Sequence, residues 1–161
     1  MAELSTAPSG RATEMERAVE VMREFMARAV LFQEAVAKWG GVNGTDLQLA
    51  SLLMSEGPAT PGELAERAGL TAGGAITTAI DRLERDGFVT RDRDPNDRRR
   101  VIVTAVPEAI FARFGEVYGR VGDHWNAYLE TLSDEQLAFA NDLFARAAEV
   151  NREEIELLRG R

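Results

Sequence analysis

Five arginines and three aspartates lie within ten residues near the middle of the chain, between residues 91 and 100. A guanidinium group offers five N–H donors in a planar fork that matches phosphate and carboxylate oxygens. Between the arginines, residues 94–97 read DPND, a combination that favours a turn. β-Favouring runs flank this turn at 88–93 and 100–105. The segment predicts a β-hairpin with an arginine-rich tip, which could bind a polyanion or simply form ion pairs on an ordinary surface.

Residue types that carry much enzyme and metal chemistry are scarce. The chain has no cysteine, one histidine (His124) and one lysine (Lys38). The lack of cysteine excludes thiolate catalysis and zinc-thiolate sites, and a single histidine excludes centres that need two imidazoles from one chain. No phosphate-binding loop motif surrounds Lys38. Because no nucleophile can be matched with a base, we expect no catalytic residues. We also expect no metal and no cofactor, although a metal site made only of carboxylates stays an alternative.

The charge distribution singles out the middle of the chain. The 161 residues suffice for one domain with a sizeable core, and their formal net charge is −8. Residues 71–104 carry seven basic and six acidic side chains, whereas the segments before and after are both acidic overall. No apolar run approaches the roughly 18 residues of a membrane span. Residues 1–11 are polar and lack the order of a secretory signal, so we expect a flexible arm and a cytoplasmic protein without a membrane partner.

Helical periodicity and capping signals predict two helices in the first third of the chain. Apolar residues three or four apart indicate a long helix from about 11 to 38, ended by the glycine-containing loop 39–44. Thr45, followed three residues later by Gln48, predicts the N-cap and capping box of a second helix.

The next segment has the pattern of a helix-turn-helix. Thr60, Pro61 and Glu63 predict the start of a short third helix, which Gly69 ends. A fourth helix opens at about 71–74 and ends at Gly87. Two short helices joined by a tight glycine turn are typical of that motif.

After the hairpin, the helical period returns. It runs from Pro107 to about Leu132, and Ser133 with Gln136 forms a capping box that predicts the start of the last helix.

Three motifs carry a resemblance to a known family. They are GELAERAGL at 62–70, AIDRLERDGFV at 79–89 and DPNDRRR at 94–100. Together with the order of the elements, over roughly residues 15–158, they resemble the MarR family of winged helix-turn-helix transcriptional regulators. The resemblance implies a mainly α chain with a small β-hairpin wing. Its winged helix-turn-helix would cover 45–105, flanked by dimerisation helices at 12–39 and 107–159, in a single protomer of residues 12–161.

The resemblance also implies which residues contact double-stranded DNA. A fourth helix that buries Ile76, Ile80 and Leu83 turns small residues outward, which allows close approach to the major groove, although an ordinary solvated face is the alternative. The implied contacts on this helix and the turn before it are Thr71, Gly73, Gly74, Thr77, Thr78 and Arg82. Those in the wing are Arg91, Arg93, Asp97, Arg98 and Arg99. Arg99 would enter the minor groove, Asp97 would orient it, and the strand arginines would contact phosphates or support the wing. Arg82 and Arg85 could contact phosphates or instead pair with Glu84 and Asp81.

The outer helices imply a homodimer. Their apolar stripes are too extensive to be buried by residues 45–105 alone, so a second protomer is the natural partner. A two-fold dimer would present the fourth helix of each protomer to successive major grooves and would bind a pseudo-palindromic operator.

The resemblance further implies that a small aromatic or phenolic anion binds near the dimerisation helices and releases a repressor from DNA. The candidate contacts are Phe32, Trp39, Met54, His124 and Trp125. His124 could instead be an ordinary surface or interface histidine. The alternative function is a helical protein-interaction module that keeps the winged fold but has lost DNA binding.

Overall fold

Six helices and one antiparallel hairpin make up the described part of the protein, which in this computed structural model is residues 10–70, 73–95 and 97–160. The elements are α1 (Gly10–Gly40), α2 (Gly44–Glu56), α3 (Pro61–Arg67), α4 (Gly74–Arg85), β1 (Val89–Arg93), β2 (Val101–Ala105), α5 (Pro107–Leu129) and α6 (Asp134–Arg159). The predicted fold class, mainly α with a β-hairpin wing, is confirmed. Helix α1 begins within the segment predicted to be an arm and continues into the predicted loop, ending at Gly40.

Of the three helix starts predicted from capping residues, those at Thr60 and Ser133 are confirmed. The Thr60 hydroxyl accepts from the Glu63 amide and the Glu63 carboxylate accepts from the Thr60 amide, which fixes the start of α3. Ser133 and Gln136 do the same for α6. The prediction for Thr45 is wrong, because α2 begins at Gly44, two residues before the start that a Thr45 cap implies, and the Asn43 side chain accepts from the Asp46 amide at 2.8 Å. Asparagine is at least as good an N-cap as threonine, so both positions offered a plausible start.

The hairpin is tied to the helices by a single β-bridge outside its two strands. Strands β1 and β2 pair so that Arg91 lies opposite Val103. On the other side of β2, Val103 forms an isolated antiparallel bridge with Ala59, in the linker before α3. Val103 and Ala59 are both fully or almost fully buried. The wing therefore extends from the core of the helix-turn-helix and shares its anchoring residues.

The chain divides into two compact units, one ending at Leu47 and the other beginning at Gln48. In the first unit, the described residues are mainly α1, whose apolar side chains are largely exposed. In the second, side chains from α2 to β2 form the core, and Phe114 of α5 packs on Phe88 with ring centroids 5.7 Å apart. The fully buried large side chains of this core are Leu49, Leu64, Ile80, Leu83, Val89 and Val103.

Helix α6 is mostly exposed, with Leu137, Ala140 and Ala147 half-buried. None of its 26 residues is buried. Its contacts with α5 include Phe144, whose ring meets Trp125 edge-on at a centroid distance of 6.5 Å. Its exposed large apolar residues are Phe139, Leu143, Phe144, Val150, Ile155, Leu157 and Leu158. Helices in proteins take most of their stability from packing an apolar face, and within its own chain α6 packs only part of its apolar surface.

Candidate nucleic-acid interface

Helix α4 presents a face of small side chains and bare backbone. Ile76, Ile80 and Leu83 are buried, as their spacing predicts. The opposite face exposes Thr77 and Thr78. The residues that begin the helix, Gly73 and Gly74, are also exposed, while Thr71 lies outside the described residues. The Thr77 hydroxyl is 3.4 Å from the Gly73 carbonyl, so it stays close to the helix and leaves the surface shallow.

The tight turn between α3 and α4 requires glycine. Gly69 has φ of +67°, a left-handed conformation that side-chain-bearing residues rarely adopt. Beside it, the Arg159 guanidinium of α6 donates to the Arg67 carbonyl at 2.9 Å, at the carboxyl end of α3. A cation at this position is favoured by the helix dipole. No local pattern in the sequence points to this contact, because its two residues lie 92 positions apart.

At the tip of the wing, Arg99 extends into solvent. Its side chain is 96% exposed. The Asp97 carboxylate accepts from the Arg99 amide at 3.0 Å and lies 3.6 Å from its Nε. This is the pairing that the sequence predicts, and it biases the direction in which the exposed guanidinium points. Arg98 is exposed as well.

Arg93 holds the tip in place from within the hairpin. Its guanidinium donates to the Arg98 carbonyl at 2.7 Å. Backbone hydrogen bonds from Asp94 to Arg100 and from Arg100 to Asp97 complete the turn. Of the two roles left open for the strand arginines, the structure shows Arg93 in a supporting contact.

Arg91 is engaged with α4. Its Nη2 lies 2.5 Å from the Asp81 carboxylate and its Nη1 lies 2.5 Å from the Glu84 carboxylate. Nη2 is also 3.4 Å from the Thr77 carbonyl. Only 23% of the Arg91 side chain is exposed. Of the alternatives for Arg91, the structure again shows support, here between β1 and α4.

The acidic residues proposed as partners for the arginines of α4 have a partner on the wing. Asp81 and Glu84 were candidate partners of Arg82 and Arg85, and both carboxylates pair with Arg91. Arg85 pairs with its neighbour Asp86 at 3.1 Å. Arg82 is half-buried and also makes a contact within the protein.

Glu63 joins the start of α3 to the wing. Its second carboxylate oxygen accepts from Arg100 of the hairpin at 3.0 Å, while the first accepts from the Thr60 amide. The Thr60 hydrogen bonds, followed in size by the nearby Arg100 and Arg67 charges, lower the Glu63 pKa below its ordinary value of 4.5. The spacing of Thr60 and Glu63 predicts the cap, but no local pattern in the sequence predicts the link from Glu63 to Arg100.

The lowered Glu63 pKa predicts how the α3 cap responds to acid. A carboxyl group whose pKa is lower in the folded state stabilises it above the unfolded value and loses that effect as pH falls through the folded value. We therefore expect the Thr60 amide proton resonance, followed by NMR, to titrate with a midpoint below 4.5. Glu63→Gln should abolish this titration while keeping the side-chain acceptor. A midpoint at or above the ordinary value would contradict the cap geometry.

The candidate effector residues lie in both units. Phe32 and Trp39 belong to α1, where Phe32 is half-buried and Trp39 exposed; Met54 of α2 is half-buried. His124 and Trp125 are exposed on α5. Trp125 meets Tyr128 edge-on at 6.3 Å, in addition to its contact with α6.

Over residues 10–70, 73–95 and 97–160, no three metal-ligating side chains cluster, and no helix is long and apolar enough to cross a membrane.

Known proteins resemble the chain in sequence and in fold. The MarR family model matches residues 44–101. The HTH-type transcriptional regulator YcgE of Bacillus subtilis (strain 168) is 38% identical over 151 residues, which cover 91% of this chain and 95% of YcgE. Streptococcus pneumoniae FabT in complex with DNA shares the fold with a TM-score of 0.63 and 17% identity, covering 86% of this chain and 98% of FabT. NadR in complex with 4-hydroxyphenylacetate shares it with a TM-score of 0.50 and 23% identity, covering 93% and 99%.

Proposed function

Since the chain belongs to the MarR family and is a DNA-binding transcriptional regulator of that type, we propose that it is a homodimeric repressor of a pseudo-palindromic operator. The observation that carries the proposal is the pairing of a shallow, exposed face on α4 with an exposed arginine at the tip of the adjoining wing. The first can approach base edges in the major groove, and the second suits the negative potential of a narrow minor groove.

The proposed reading surface is smaller than the set of contacts predicted from the sequence. On α4 it comprises Gly73, Gly74, Thr77 and Thr78, which would face the major groove, while Thr71, outside the described residues, stays a prediction. On the wing, Arg98 and Arg99 would reach the flanking minor groove or its phosphates. Arg91, Arg93 and Asp97 would act by holding these groups in place. Arg82 would lie at the edge of the contact.

The dimer would be formed by the exposed apolar faces of residues 12–39 and 107–159. Helix α6 supports this, because a helix without buried residues needs a partner and its many apolar side chains match a second copy of themselves. A shallow cavity of about 380 Å³ lies at the α5–α6 turn and would receive a side chain of the partner. Its lining residues are Tyr128, Leu132, Glu135, Gln136, Phe139 and Ala140. The winged helix-turn-helix of residues 45–105 would then be presented twice.

Selection of the purified protein against a random duplex library at about physiological salt tests this function. A pseudo-palindrome with half-sites about one helical turn apart is the expected result. Recovery of no motif by a folded, dimeric protein would overturn operator reading and favour the interaction-module alternative. The same selection should be repeated with Thr77→Ala and with Thr78→Ala. Each variant should relax the base preference at one position in each half-site, because contacts to base edges carry the sequence information and phosphate contacts do not.

Repression would follow from occupancy, because a dimer bound across two major grooves blocks other proteins from the same DNA. A reporter with the selected operator placed over its promoter should lose expression when the protein is supplied. Rising expression would show an activator instead.

Release by a small aromatic anion is the finer part of the proposal. The NadR structure with 4-hydroxyphenylacetate supports it, since a protein of the same fold holds a phenolic anion. In this chain, the exposed pair His124 and Trp125 offers a titratable imidazole and an aromatic face. Titrating 4-hydroxyphenylacetate into the protein–operator complex should release DNA at millimolar concentration or below, and His124→Ala should weaken the effect. Equal responses to the neutral amide of the same compound would argue against anion recognition.

A further inference from the structure

We propose that Arg91, Asp81 and Glu84 form a clamp that sets the position of the wing relative to α4. The face of α4 that carries Thr77 and Thr78, here called its reading face, would then contact the major groove while the wing contacts the minor groove. The proposal deepens the proposed function and rests on it. It assigns Arg91 as a positioning residue and not as a phosphate contact.

The geometry of the clamp joins two different elements. Arg91 lies in the middle of β1, while Asp81 and Glu84 lie three residues apart on one face of α4. Each carboxylate takes a different terminal nitrogen of the guanidinium, so one planar group is held at two points. Such two-point contacts restrict direction as well as distance.

The clamp also reaches the groups proposed to read DNA. The Arg91 guanidinium lies within 3.4 Å of the carbonyl of Thr77, which belongs to the exposed face of α4. On the other side, Arg91 lies opposite the buried Val103 in the hairpin. Two residues further along β1, Arg93 donates to the Arg98 carbonyl and so holds the tip that carries Arg99. A continuous set of contacts thus runs from the reading face of α4 to the wing tip.

The charges of Asp81 and Glu84 distinguish a clamp from two ordinary surface carboxylates. Asp81 and Glu84 place two negative charges on the helix that would enter a groove lined by phosphates, and like charges there oppose binding. If the carboxylates served only as surface charges, Asp81→Asn with Glu84→Gln would strengthen DNA binding. If they hold Arg91 in place, the same double substitution weakens operator binding even though it removes repulsion. The two explanations predict opposite signs.

The test compares wild type, the Asp81→Asn/Glu84→Gln variant and Arg91→Ala on the selected operator and on an unrelated duplex. We expect the double variant to bind the operator roughly 5-fold more weakly and the unrelated duplex as tightly as wild type or more tightly. Arg91→Ala should weaken operator binding to a similar extent without lowering the salt dependence, because no phosphate contact is lost. Combining all three changes should add little to Arg91→Ala alone, since groups acting as a unit are not additive.

Asp86→Asn is the matched control. It removes a carboxylate from an ion pair with Arg85 just after α4, where no wing residue is involved. We expect it to leave operator binding unchanged or slightly stronger. Circular dichroism melting establishes that each variant is folded.

The proposal is overturned if the double variant binds the operator more tightly than wild type. It is also overturned if the double variant has no effect while Arg91→Ala lowers the salt slope, which is the slope of log affinity against log salt concentration, by about one per protomer. Arg91 would then contact a phosphate. Failure of the proposed function is distinguishable, because in that case the wild-type protein itself selects no operator.

Discussion

Phe139→Glu is expected to convert the proposed dimer into a monomer and to reduce operator affinity by more than about 100-fold. A monomer would contact one half-site and would lose the effective concentration that the second, linked protomer provides. Phe139 is 68% exposed in its own chain, so the substitution removes no intrachain core contact. In a dimer the same position would be buried, and a carboxylate there would be desolvated without a partner.

Light scattering on the eluting protein, together with an operator titration, checks both parts of this expectation. Asn141→Glu is the matched control, since it adds the same charge to an exposed position two residues further along α6, on a different side of the helix. It should remain dimeric and bind normally. A dimeric Phe139→Glu protein with wild-type affinity would show that α6 does not supply the interface.

Arg99→Ala is expected to weaken operator binding by roughly 30-fold and to lower the salt slope by about two per dimer, one for each wing. The side chain is almost fully exposed, so its removal leaves the hairpin intact. The loss should be largest for operators with A·T-rich flanks, where a narrow minor groove has the strongest negative potential.

Arg99→Lys separates shape from charge. Lysine keeps the positive charge but lacks the planar group, so we expect it to restore the salt slope without restoring the preference for A·T flanks. Asp97→Asn should have a smaller effect in the same direction as Arg99→Ala, because the amide oxygen still accepts from the Arg99 backbone. Unchanged affinity for Arg99→Ala would place the DNA contact elsewhere on the wing.

Local signals predicted much of the fold. The capping boxes of Thr60 and Ser133 depend on residues three positions apart, and both are confirmed. The buried face of α4 follows from one helical period, and the DPND turn placed the hairpin correctly. The start of α2 differed because Asn43 and Thr45 are both capable N-caps, and local preference does not decide between neighbouring positions.

The partners of charged side chains could not be predicted in the same way. Arg91 has acidic residues nearby in sequence, but its partners are Asp81 and Glu84, which come within reach only once β1 lies against α4. Glu63 and Arg100 are likewise brought together by the fold, 37 positions apart. An arginine in a basic cluster resembles a DNA contact in sequence, whether its guanidinium points outward, as Arg99 does, or inward, as Arg91 does.

The hydrogen bond between Arg159 and Arg67 bears on the order in which the protein folds. Contacts within the winged helix-turn-helix close short loops, as between Glu63 and Arg100, whereas the bond from α6 joins residues 92 positions apart. Closing longer loops costs more chain entropy, and local contacts favour fast folding. The winged helix-turn-helix should therefore form first and the end of α6 should dock last. In native-state hydrogen exchange, the α6 amides should then open in a cheaper, separate step than those of the hairpin.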